Sequence, residues 1–122
     1  GCGDYYYNYE SILFGSINGE FSIRSYKGEA GDVWIINKAK ESDGGFEHST
    51  VKPIEVPTAA LLTSSKTGWV IYEPFCGSGS TLLAAHNLNR RCYAMEISEK
   101  YGAVILERFY TATGITPELV TE

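Results

Sequence analysis

The segment Val70-Ile-Tyr-Glu-Pro-Phe-Cys-Gly-Ser-Gly-Ser-Thr81, running on through Leu82-Leu83-Ala84-Ala85 to Cys92-Tyr-Ala-Met-Glu96, constrains this chain most. Apolar residues lead into a glycine turn, a short apolar helix follows, and a second strand ends on a carboxylate. Gly77 and Gly79 permit backbone angles, and close ligand approach, that a Cβ would block. Ser80 and Thr81 are positioned to cap the helix. Glu96 stands 19 positions after Gly77. That is close to the spacing of about 20 at which an acidic residue on the second strand takes ribose hydroxyls. The pattern predicts a nucleotide-like ligand on the turn.

Two common ligands are disfavoured. A dinucleotide turn needs a third glycine three positions after Gly79, where Leu82 stands. An ATP loop ends in Gly-Lys-Ser/Thr, and the chain contains no Gly-Lys pair. A single Gly-x-Gly turn suits a nucleoside ligand without phosphates, such as S-adenosylmethionine.

Upstream stands Glu47-His-Ser-Thr-Val-Lys-Pro-Ile-Glu-Val-Pro57. Together with Glu73-Pro-Phe-Cys-Gly-Ser-Gly-Ser-Thr81 it resembles the DNA methyltransferases that modify the exocyclic amine of adenine or cytosine. The order of motifs is similar to the permuted, beta-class members, whose cofactor motifs lie toward the C-terminal end. His48, Thr50, Lys52 and Pro53 match the first family block, with Ser49 in place of its usual proline. In the second block Pro74, Phe75, Gly77, Ser78, Gly79 and Thr81 match, while Glu73 replaces aspartate and Ser80 replaces threonine. The resemblance covers roughly residues 30 to 110.

The resemblance implies S-adenosylmethionine as cofactor and a Rossmann-like α/β fold, a truncated three-layer αβα arrangement. Lys52 and Thr50 would hold the methionine carboxylate, through a charge-assisted contact and a hydroxyl donor. Glu96 would accept the ribose hydroxyls. Phe75 and Ile97 would pack on the adenine or the methionine arm, the backbone from Cys76 to Gly79 would approach the methionine end, and Glu73 would reach the ammonium. Other roles stay open: a solvated surface charge for Lys52, a core position for Phe75, and a strand-end carboxylate for Glu96.

Such enzymes also need an Asp/Asn/Ser-Pro-Pro-aromatic tetrapeptide to hold the amine of a flipped base. The four prolines here are Pro53, Pro57, Pro74 and Pro117, so there is no Pro-Pro pair. The expectation is a C-terminal, cofactor-binding part of a methyltransferase that is inactive alone. The alternative is a non-catalytic module, either a prophage-type remnant or a half that completes a partner chain.

Composition sets the remaining bounds. The 122 residues make one domain or less, and an apolar fraction of 43% argues a folded chain. A net charge of −5 weighs against DNA binding by this chain alone, since duplex affinity comes largely from Lys and Arg on phosphates. Arg90-Arg91, the one short basic cluster, reads as a polar helix-to-strand loop. DNA is thus the partner expected of a whole enzyme, with weak or no contribution from these residues. Cys2, Cys76 and Cys92 have no metal-ligand spacing and suit a reducing cytoplasm. His48 and His86 are too isolated to propose a metal site, and His86 reads as structural or surface. No basic region followed by an apolar run resembles a signal peptide, and no stretch approaches the roughly 18 apolar residues of a membrane span.

Along the chain, residues 1–46 read as strands, a hairpin and a loop, and residues 47–122 as the cofactor motifs. Tyr5 to Tyr9 suggest a half-buried strand in preference to a base-stacking surface. Ser11 to Gly15, Phe21 to Tyr26 and Val33 to Ile36 read as strands, with Asn18-Gly19 as a hairpin turn. Lys38 to Phe46 reads as a polar loop. Ile54 to Ser65 is helical in pattern, with Leu61 and Leu62 inward and Gly68 past its end. Met95 is expected in a buried strand. Ser98 is a cap for a last helix whose apolar face is Tyr101, Val104, Ile105, Phe109 and Ala112, ended by Gly114 and Pro117. In the family fold the first strand of the glycine-turn unit has a second neighbour, which carries the catalytic tetrapeptide. Without it, an open strand edge predicts self-association or strand exchange.

Overall fold

A computed structural model describes residues 9–17, 33–37 and 51–121. Three helices and two strands follow in the order α1 (Glu55–Ser64), β1 (Val70–Glu73), α2 (Ser80–Asn87), β2 (Arg91–Ala94) and α3 (Glu99–Thr113). The strands run parallel with α2 as their crossover, and pair in the register Val70 with Arg91 through Glu73 with Ala94. This is the βαβ unit of an α/β, Rossmann-like fold.

Local chemistry accounts for each helix. In α1, Pro57 sits in the first turn, where a missing N–H costs little, and Glu55 complements the positive end of the helix dipole. Its last turn closes on Ser65, whose backbone N–H and hydroxyl both donate to the Leu61 carbonyl at 3.0 and 2.6 Å. Helix α2 is short and depends on burial. Ala84 and Ala85 are fully enclosed, and their small side chains let α1 and the sheet close in. The core is Leu61, Ala84 and Ala85, with Ile54, Ile71, Leu88 and Cys92 packed around it.

Arg90 clasps the ends of α1 and α2. Its guanidinium donates to the Ser65 hydroxyl (3.1 Å), the Ser65 carbonyl (2.8 Å) and the Leu88 carbonyl (2.6 Å). The expected polar loop at Arg90-Arg91 is therefore a structural joint. Helix α3 starts on Ser98, whose hydroxyl accepts from the Tyr101 N–H, and ends at Gly114 in the left-handed conformation. Val104 is buried; Tyr101, Ile105 and Phe109 are half-buried, whereas Ala112 is exposed. His86 lies on the surface with its ring edge-on to Phe109, at 5.2 Å between centroids.

Several expectations need correction. Ser11 to Gly15 and Val33 to Ile36 form no strand, and Leu13 and Ile35 are each 96% exposed. Their β-propensity finds no ladder partner among the described residues, and a strand exists only with one. Ser80 and Thr81 do not cap α2. The N-cap is Gly79, and the Ser80 hydroxyl turns away to the Lys52 carbonyl. Met95 lies just past β2 and is exposed; its Sδ accepts from the Tyr72 hydroxyl at 3.0 Å. Leu62 is only half-buried. The hairpin at Asn18-Gly19, Phe21 to Tyr26, Tyr5 to Tyr7, the Lys38 to Phe46 loop, His48 and Thr50 lie outside the described residues.

The helices supply a layer over one face of the sheet, that of Ile71 and Cys92. The opposite face carries Val70, Tyr72, Tyr93 and Met95, all exposed. Among the described residues, no helix is long and apolar enough to cross a membrane.

Candidate cofactor-binding site

The glycine turn leaves the C-terminal end of β1, the end of an open parallel sheet where ligand sites form. Beyond the strands, main-chain pairing continues: the Met95 N–H donates to the Glu73 carbonyl and the Cys76 N–H to the Met95 carbonyl, both at 2.9 Å. These bonds carry the turn alongside the segment after β2. Glu96 then reaches across. Its Oε2 accepts from the Gly77 N–H at 2.8 Å, and its Oε1 accepts from the Ser98 N–H at 2.9 Å. The Ser98 and Gly77 amides hold the Glu96 carboxyl below the ordinary 4.5, so it is ionised at neutral pH. Two ionised oxygens offer about four lone-pair sites, and the backbone occupies two. Glu96 is thus the fastener of the turn, with acceptor capacity to spare.

The two glycines do different work. Both have positive φ, +55° at Gly77 and +83° at Gly79. A Cβ at Gly77 would meet only the Phe75 carbonyl, at 4.0 Å, whereas one at Gly79 would touch Ile105 Cγ2 of α3 at 3.4 Å. Close approach by a ligand is available at Gly77. Gly79 is buried and admits α3.

Glu73 accepts from the Phe75 N–H at 3.0 Å through Oε1, which shapes the start of the turn. Phe75 is 85% exposed, which removes the core reading. Ile97 is fully exposed. Cys76 is buried; burial, followed by the charge of Glu73, pushes its thiol up to about 11, so it stays neutral and weakly nucleophilic. The Lys52 side chain is exposed, while its carbonyl is held beside the turn by Ser80, and the Pro53 carbonyl accepts from Val56 in the first turn of α1. Lys52, Pro53, Glu73, Cys76 to Gly79 and Glu96 therefore come together around one turn, with Phe75 and Ile97 exposed at the same end.

Sequence reasoning missed Arg108. Its Nη1 donates to the Ser78 carbonyl (2.9 Å), the Ser78 hydroxyl (3.1 Å) and the Ser80 hydroxyl (3.2 Å). The available signal was its place in the apolar stripe of α3, between Val104-Ile105 and Phe109, where a charge requires partners.

The pattern of the DNA methylase family matches residues 5–107. The type II methyltransferase M.SmaI of Serratia marcescens is 29% identical over 104 residues, covering 85% of this chain and 33% of that protein. M.BglII of Bacillus subtilis, also a type II methyltransferase, is 30% identical over 91 residues, covering 71% of this chain and 24% of that protein. A solved structure of a DNA modification methylase from Thermus thermophilus, complexed with S-adenosyl-L-methionine, aligns at 33% identity with a TM-score of 0.48, over 49% of this chain and 25% of that one. The chain spans a third or less of the length of these two curated relatives. With the match extending over most of its residues, this chain belongs to the DNA methylase family.

Proposed function

We propose that these residues form the S-adenosylmethionine-binding portion of a DNA methyltransferase acting on the exocyclic amine of adenine or cytosine. The observation that carries this reading is the Glu96 carboxylate, ionised and fastened to Gly77 at the open side of the turn. Its remaining lone pairs suit two vicinal hydroxyls, and the exposed Phe75 and Ile97 suit an adenine plane or a methionine arm. When bound, S-adenosylmethionine supplies a sulfonium methyl group.

The chain's own residues bind and orient. Glu96 accepts the ribose hydroxyls, Lys52 and Thr50 take the amino-acid carboxylate, and His48 and Pro53 shape the segment that presents them. Glu73 faces the ammonium, and the turn from Cys76 through Gly77 and Ser78 to Gly79 lines the methionine end. The rate would come from positioning the methyl in line with the amine of a flipped base. The tetrapeptide that receives that amine, the contacts to DNA and the order of the permuted class belong to the same proposal, with the tetrapeptide supplied from outside these 122 residues.

Calorimetric titration with S-adenosylmethionine and S-adenosylhomocysteine tests the reading. Saturable binding, weakened by about 1 to 3 kcal/mol in Lys52→Ala and in Glu96→Ala, is the expected result. A folded sample that binds neither compound, both alone and when extended upstream, overturns it.

A further inference from the structure

Arg108 lies 30 positions after Ser78 and 28 after Ser80, and Ser80 lies 28 after Lys52; hydrogen bonds join all four. The polarity of this chain is fixed by chemistry. A guanidinium only donates, so Ser80 Oγ accepts from Arg108 and directs its own proton to the Lys52 carbonyl, at 2.7 Å. Nη1 carries two hydrogens for three acceptors, which draws Ser78 and Ser80 around one nitrogen. Ser80 is buried and the other members are half-buried or at the margin of the turn, so water competes weakly for the Ser80 link.

We propose that Arg108 is a positioning residue: through Ser80 it holds the Lys52 segment against the glycine turn, and so assembles the two sequence-distant halves of the cofactor site. The proposal rests on the cofactor reading given above. Arg108 need not touch the ligand. It sets where the Lys52 main chain stands relative to Gly77 and Glu96, and the charge of the guanidinium strengthens each bond in the relay.

Arg108→Ala, Ser80→Ala and the double variant decide it. Each single variant is expected to raise the Kd for S-adenosylmethionine about tenfold, the usual scale for one charge-assisted hydrogen bond. The double variant should be no weaker than the poorer single one, because both cut one relay. Added methylguanidinium should restore binding to Arg108→Ala and leave Ser80→Ala unchanged, a response that mere loss of packing by α3 would not give. Effects that multiply in the double variant, or a Kd unchanged in Arg108→Ala, overturn the proposal.

If the wild-type chain binds no cofactor, the cofactor reading falls and amide exchange decides the positioning role separately. Faster exchange in Arg108→Ala at Gly79 and Val56, which donate to the Cys76 and Pro53 carbonyls, reversed by methylguanidinium, supports the relay. Unchanged exchange there overturns it.

Discussion

Glu96 Oε2 and the Gly77 N–H, 2.8 Å apart, join the end of the second strand to the turn after the first. A spacing that reads in sequence as ligand recognition is also an internal fastening. The turn keeps its shape because the same carboxylate that faces its open side accepts one of its amides.

Acid should release this fastening. The folded carboxyl lies below its ordinary 4.5, so its contribution to stability is complete above that value and is lost as pH falls through the lower folded one. Glu96→Gln should be less stable than wild type at neutral pH, and the gap should narrow as pH drops below about 4.5. Thermal melts of both proteins from neutral to acid pH check this. Parallel curves would remove Glu96 from the acid response.

The two glycines should separate under substitution. Asparagine tolerates the left-handed region, so Gly77→Asn, facing open space, should cost less than about 1 kcal/mol. Gly79→Asn extends a side chain from a buried position against Ile105 and should cost about 2 kcal/mol or more. Urea denaturation of both variants tests the contrast, and equal losses would refute it.

Arg90→Ala removes three hydrogen bonds between the ends of α1 and α2. A stability loss of about 1 to 3 kcal/mol is expected, with cofactor affinity unchanged. A variant as stable as wild type but deficient in ligand binding would move Arg90 from the scaffold to the site.

Cys76 should resist alkylation. With its thiol pushed up to about 11, little thiolate exists at pH 8, and the side chain is 7% exposed. Iodoacetamide labelling followed by peptide mass mapping should show slow modification of Cys76 in the folded chain and fast modification in urea. The unfolded chain loses this proton first, so stability should also fall as pH rises from 9 toward 11. Rapid labelling of the native protein at pH 8 would contradict the buried, neutral thiol.

The open edge of β1 gives a further test. A two-stranded parallel sheet with Val70, Tyr72, Tyr93 and Met95 exposed on one face is expected to associate. Sedimentation should show mass rising with concentration; a monomer throughout would oppose it.

Much of the βαβ unit was legible in the sequence, since strand, glycine turn, helix and strand are local patterns carried by Val70 to Glu96, and Ser98 and Gly114 mark the ends of α3 by capping chemistry. Family membership follows from the same motifs. What the tertiary structure decided is where partners are distant. Ser11 to Gly15 and Val33 to Ile36 have strand-like composition but no ladder among the described residues, because pairing is not encoded within a segment. Ser80, a cap by local rule, instead bonds Lys52, 28 positions away, and Arg108 finds its partners only once α3 lies on the turn. The sequence by itself determined which turn, helix and carboxylate this protein would have. Only the tertiary fold decided that Glu96 would fasten that turn and Arg108 would hold it, because both depend on contacts between segments whose spacing along the chain says nothing of their distance.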